Sequence, residues 1–230
     1  FHYHRLAPVE DLLAALPGQY RKNVRRAYRR AEDLGDITYH TARSREECEA
    51  LFPEFLELEA SGWKGEGGTG TAIALDPELH RFYESLMRRC ADQGHWLISD
   101  VRHGNRPISA SFGLVLDQTL YGLKVGYDES YGRIAPGTLL HWYILRTAHE
   151  DPQLEVYNEV SDSAWQLQWQ PLSADTLDVA VFSPGLTGRL ASAEMHALRY
   201  IRSQLVRAKR RWVGSGRGQR RLSWPRWSRA

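Results

Sequence analysis

Two cysteines in 230 residues, Cys48 and Cys90, are too few for a disulfide framework or a cysteine-rich metal site. They fall on separate predicted helices, which leaves nucleophilic cysteine chemistry without support and suits a reducing cytoplasm. The nine histidines show no HExxH or comparable metal spacing, so no metal is expected. No apolar run approaches the roughly 20 residues of a membrane-spanning helix, and the chain reads as soluble. Acidic residues are absent from Met195 to Ala230, yet 11 Lys/Arg fall there. Since the chain holds 30 basic and 28 acidic residues, the part before Met195 carries 19 basic against 28 acidic. An acidic body therefore bears a basic tail. Such a tail suits an anionic partner, a membrane surface or nucleic acid, which implies a cytoplasmic protein with a peripheral membrane location as one option. Its last stretch, GSGRGQRRLSWPRWSRA, has the composition of a solvated, disordered end.

What is present is a globular composition, 42% apolar and 11% aromatic. The chain opens on Phe1 rather than Met, and residues 1–16 are expected to be the remnant of a longer chain. A domain over residues 17–185 is expected next, then an amphipathic helix over 186–211 and the basic tail over 212–230. Within the domain, QYRKNVRRAYRRAEDL predicts a helix from Pro17 or Gly18 to Gly35, with Tyr20, Val24, Ala27, Ala31 and Leu34 inward and arginines 21, 25, 26, 29 and 30 on the exposed face. A short strand DITYHTA, a helix begun by Ser44 and a helix with Pro77 in its first turn come next. Between those helices lies the glycine-rich SGWKGEGGTGTAIALD. After Gly94 the period switches to two: HWLISDVRH, PISASFGLVL and TLYGLKVGYD make an antiparallel meander with turns at Gly104-Asn105 and Asp117-Gln118. LEVYNEV and LDVAVF read as later strands.

The meander's last strand runs through YDESYGRIAPG into a helix that places Leu139, Leu140, Tyr143, Ile144 and Ala148 on one face. Backbone N–H groups at such a helix start lack intrahelical partners and attract anions. The turn is also explained as a strand-to-helix connection that needs Pro-Gly.

This order of elements, with YRKNVRRAYRRAEDLG (residues 20–35), WKGEGGTGTA (63–72) and YDESYGRIAPGTLL (127–140), resembles the GNAT acyltransferases, and within them the BioF2-like or CelD-like subgroup, distantly related to the Fem peptidyltransferases. The resemblance covers roughly residues 15 to 185. It implies an α/β (α+β) fold, a mixed twisted sheet with a central antiparallel meander flanked by helices. It also implies acyl-CoA or acetyl-CoA as co-substrate, and transfer of an acyl group to an amine of a small molecule or a cell-envelope saccharide, as in polysaccharide biosynthesis. Arg133, Ala135, Gly137 and Thr138 become candidates for the pyrophosphate. Two departures stand out: Pro136 lacks an N–H where relatives donate one, and Asp162 is followed by Trp165 and Gln166 where many relatives carry Asp-x-x-Tyr-Lys.

Acyl transfer from a thioester to an amine needs the amine deprotonated and the thiolate protonated. Glu159 and Asp162 are candidates for the first task, Tyr127 and Tyr131 for the second. Equally, the acids are solvated loop residues and the tyrosines packing residues. Trp63 and Lys64 are candidates to close over the acceptor, and Trp165 and Gln166 to line it; core packing is the competing use of the tryptophans. Two other functions stay open: a Fem-like transferase taking an aminoacyl group from tRNA, and a non-catalytic domain docking through its basic tail.

Overall fold

The computed structural model describes residues 1–6, 12–177 and 179–214. Helix starts are where local chemistry predicts them. After a short turn, α1 (Leu12–Ala15), α2 (Gly18–Leu34) buries Tyr20, Val24, Ala27 and Ala31 and leaves its arginines outward. In α3 (Arg45–Ser61), Ser44 accepts from the Glu47 N–H and Glu47 bonds back, a capping box. Replacing Ser44 by alanine is expected to cost about 1 kcal/mol with an unchanged denaturant slope, read by urea unfolding. Asp76 caps α4 (Pro77–Ala91), which carries Pro77 in its first turn.

The strands are β1 (His2–Arg5), β2 (Ile37–Ala42), β3 (Trp96–His103), β4 (Arg106–Leu116), β5 (Thr119–Tyr127), β6 (Val156–Asn158) and β7 (Leu172–Ser173), in the order β2-β3-β4-β5-β6-β1-β7. The predicted meander is β3-β4-β5, antiparallel throughout. Asp117 and Gln118 both take positive φ, 46° and 61°, as a tight hairpin turn matching the sheet's twist requires. Helix α5 (Pro136–Glu150) crosses over to β6, which pairs parallel with β5.

Two cores flank the sheet. Helices α2 and α5 pack with Leu97, Val101, Ile108 and Leu120 on one side. On the other, α3 and α4 enclose Phe112, whose ring contacts Phe52, Phe55, Tyr83 and Trp96.

The stretch before Pro17 contributes β1, paired with β6 and β7, and the first compact unit runs from Phe1 to Thr176. Two strand expectations give way. LEVYNEV shortens to the three residues of β6. LDVAVF is no strand among its described residues: Leu177, Val179 and Val181 are 90%, 81% and 89% exposed. Alternation makes a strand only where a sheet edge offers partners, and β1 already occupies the β6 edge that a later strand would need. The second unit begins at Leu177 and contains α6 (Leu186–Gly214), which starts where expected and runs three residues further. Residues 215–230, most of the expected disordered tail, lie outside the described residues.

Candidate active site

Strands β5 and β6 pair only from Thr119–Tyr121 against Val156–Asn158. Beyond Tyr121, β5 continues to Tyr127 without β6 beside it, and the sheet opens into a cleft. Lys64 Nζ donates to the Val125 carbonyl there at 2.7 Å. At the end of β5, Asp128 caps the 3-10 turn Glu129–Ile134 through the Ser130 N–H and hydroxyl and pairs with Arg106 at 2.6 Å. Burial pushes the Asp128 carboxyl upward, but Ser130 and Arg106 outweigh it and hold it below the usual carboxylate range. Ala135 then takes a left-handed conformation (φ 54°) and Pro136 begins α5. A Cβ added at Gly137 would lie 3.6 Å from the Tyr127 ring, so the strand's last side chain rests on the helix's first turn.

Of the predicted anion ligands, Arg133 is exposed and has no ion pair among the described residues. Its carbonyl accepts from Arg30 Nη1 at 2.8 Å, which brings the arginine face of α2 to the turn. Gly137 sits in the first turn, where N–H groups lack helical partners. Thr138 is committed elsewhere: its N–H donates to Ala135 O at 2.9 Å and its side chain bonds Tyr20. With Pro136 lacking an N–H, the cradle reduces to Arg133, Arg30 and the Gly137 amide.

The four catalytic candidates separate. Tyr127 is half-buried in the cleft; burial, then Glu129, raises its phenol pKa, so it stays protonated at neutral pH. Tyr131 is bonded to His103 Nδ1 at 3.0 Å. Asp162 is exposed. Glu159 is 5% exposed and meets two histidines that the sequence did not single out: His4 Nε2 lies 2.8 Å from its Oε1 and His141 Nε2 3.5 Å. Burial, reinforced by His4, depresses the His141 pKa to about 3, so that imidazole is neutral. Tyr157 stacks on His4, while Trp169 and Trp165 pack on His141 at 4.4 and 5.3 Å between ring centres. Among the described residues this trio is the one group with donor atoms close enough, within 4.8 Å, to hold a metal ion. Gln166 is buried and donates to Ser161 at 2.8 Å, a structural bond within the turn, while Trp165 is 45% exposed.

On the α3 side, Trp63 is 46% exposed and Lys64 points inward, with Nζ 2.8 Å from Oε1 of Glu59, a residue 1% exposed. The other Glu59 oxygen accepts from the Ile73 N–H at 2.9 Å. A Cβ on Gly126 would come within 2.9 Å of the Glu59 backbone, so only glycine lets α3 lie this close to β5. A cavity of about 220 Å³, lined by Thr41, Ser99, Leu120, Tyr143 and Leu154, lies by the second half of α5 and includes none of the predicted site residues.

A meander whose last strand splays from the next parallel strand, with a helix start at the opening, defines the acyltransferase class of α/β fold. The sequence pattern of the acetyltransferase (GNAT) domain family matches residues 18–161, well over half of the chain, and the chain belongs to that family. Among solved structures, FemX is similar at 11% identity, covering 74% of this chain and 58% of FemX, with a TM-score of 0.51. The C-terminal domain of a putative lysylphosphatidylglycerol synthetase from Agrobacterium fabrum matches at 12% identity and TM-score 0.42, over 68% of this chain and 45% of that one. An aminoglycoside acetyltransferase from an uncultured soil metagenomic sample matches at 13% identity and TM-score 0.41, over 66% of this chain and 97% of that one. At these identities the likeness is one of fold. The chain spans about half the length of the first two structures, 45% and 58%. No curated protein matches the sequence.

Proposed function

We propose that this chain is an N-acyltransferase that takes an acyl group from acyl-CoA and gives it to an amine of a small molecule or a cell-envelope saccharide. The observation that carries the reading is the parting of β5 from β6 after Tyr121, with the first turn of α5 packed on Tyr127 at the free end of β5. The pyrophosphate of a CoA donor would lie by Arg133, Arg30 and the Gly137 amide, and its pantetheine arm would run back along the unpaired part of β5 toward Gly122 and Glu159. The amine nitrogen attacks the thioester carbonyl and gives up a proton, the C–S bond breaks, and the departing thiolate takes up a proton from water; Tyr127, whose ring rests on Gly137, packs the phosphate turn. Glu159 is the acid proposed to accept the amine's proton, through water, because it follows β6 directly at the level where β5 runs on unpaired. Trp63 is the exposed ring available to the acceptor, and Lys64 holds the loop beneath it.

Titration calorimetry with CoA tests the donor. Binding is expected to weaken at least tenfold in Arg133→Ala, a loss of about 1.4 kcal/mol, and to weaken with salt. Equal binding by both proteins would remove the phosphate role from the turn. A second reading, an aminoacyl-tRNA donor, draws support from the exposed arginines of α2, a strip that continues past Arg30 and suits a longer polyanion than CoA. Charged tRNA competing with CoA, with a steeper salt dependence, would favour it.

A further inference from the structure

The second unit is built around α6, 29 residues and about 43 Å long. At 100° per residue, Leu186, Leu190, Ala197, Leu198 and Ile201 fall within an arc of about 120°. The leucines and the isoleucine are 75%, 63%, 59% and 53% exposed. Arg189 and Arg199, both exposed, lie off that arc on the opposite side. Further on, the sequence keeps the period, with Leu205, Ala208 and Trp212 following at spacings of four, three and four. Glu194 is the last acidic residue; after it come 11 Lys/Arg.

A helix with a broad apolar stripe, interrupted by the exposed Glu194 at about 80° in that arc, and with cations on the opposite face has few suitable environments. It does not meet the needs of a membrane span, because among the described residues no helix is long and apolar enough to cross a bilayer. A nucleic-acid surface would use the arginines and leave Leu186, Leu190, Leu198 and Ile201 in water. An acidic protein groove would bury the stripe but has no use for cations that extend beyond it. The headgroup region of an anionic bilayer satisfies both faces at once: acyl chains take the stripe and phosphates take the cations.

We propose that α6 is an interfacial helix that binds this protein to the surface of an anionic lipid bilayer, lying in the headgroup plane. The role concerns a different part of the chain from the acyl-transfer cleft, so either stands without the other.

Flotation of the full chain with phosphatidylcholine vesicles, with and without phosphatidylglycerol, tests it. The protein is expected to float with the anionic vesicles and to stay behind with the neutral ones. Leu198→Ser/Ile201→Ser leaves every charge in place and is expected to weaken flotation at least tenfold. Arg189→Gln/Arg199→Gln keeps the stripe and is expected to weaken it about fivefold per cation removed. Circular dichroism and the melting temperature, unchanged in both variants, exclude misfolding as the cause. Absence of flotation by the parent protein overturns the proposal. So does flotation that the serine variant leaves intact, and so does preferential binding to RNA that the serine variant leaves unchanged.

Discussion

Lys64→Met is expected to destabilise the protein by about 3–5 kcal/mol, the cost of leaving a buried charge without its partner. Glu59 is 1% exposed, and the ammonium of Lys64 lies 2.8 Å from one of its oxygens. Methionine keeps most of the apolar stem of the lysine but removes the charge and both hydrogen bonds, to Glu59 and to Val125. The Glu59 carboxylate then faces a dry interior, and the Val125 carbonyl, beyond the reach of β6, loses the donor it had at 2.7 Å. Adding Glu59→Gln should recover much of the loss: a glutamine oxygen still accepts from Ile73, and no uncompensated charge remains. Urea unfolding of the parent, the single variant and the pair measures both effects, provided the denaturant slopes agree. A single variant within 1 kcal/mol of the parent would show that the carboxylate takes up a proton and needs no lysine. Lys64 also ties the glycine loop to the unpaired part of β5, so loss of that bond should loosen the acceptor side as well.

Lys64 also marks the limit of what the sequence makes legible. WKGEGG is recognisable as a glycine loop, and a lysine in such a loop reads as a residue reaching for a ligand. Its real partner, Glu59, belongs to a helix whose apolar pattern gives no reason for a buried acid at that position. Local signals were readable because their partners are close in sequence: the Ser44 box closes over three residues, and the Asp117-Gln118 turn sets the register of two strands at once. The α2 stripe and the period-two meander follow for the same reason. The contact between His4 and Glu159 joins residues 155 apart in the chain, and neither has a spacing that announces the other. His4 lies in a segment that composition alone sets aside, and it becomes part of the site because β1 inserts between β6 and β7. LDVAVF is the reverse error, a good local pattern without an available edge. The pyrophosphate candidates were legible as a turn, but which of its N–H groups are spent inside it was not: Thr138 donates to Ala135, a detail of the left-handed residue at the helix start.

Acid should weaken the protein through His141, and the sign follows from its burial. Enclosed by Tyr157, Trp165 and Trp169, the imidazole is depressed from 6.5 to about 3, first by burial and then by His4. The Glu159 oxygen nearest to it is already engaged by His4 at 2.8 Å and offers His141 only a 3.5 Å approach. Between pH 3 and 6.5 the unfolded chain therefore holds a proton that the folded chain refuses. The stability tied to this residue is fully present above about pH 6.5 and is lost as the pH falls toward 3, at up to about 1.4 kcal/mol per pH unit. At pH 4.5 the loss should reach about 2–3 kcal/mol. His141→Gln retains a polar side chain of similar size without a titrating group. Groups out of contact with His141 titrate alike in both proteins, so the difference between their unfolding free energies reports the imidazole together with its neighbours His4 and Glu159. That difference should be constant above pH 7 and shrink as the solution is acidified, the variant losing stability more slowly than the parent. Parallel curves down to pH 4.5 would mean that His141 carries a proton in the folded state, with Glu159 serving both histidines. In that case the Glu159 oxygen would face a charged His141 and be a poor acceptor for the amine's proton, so the same titration bears on the proposed base.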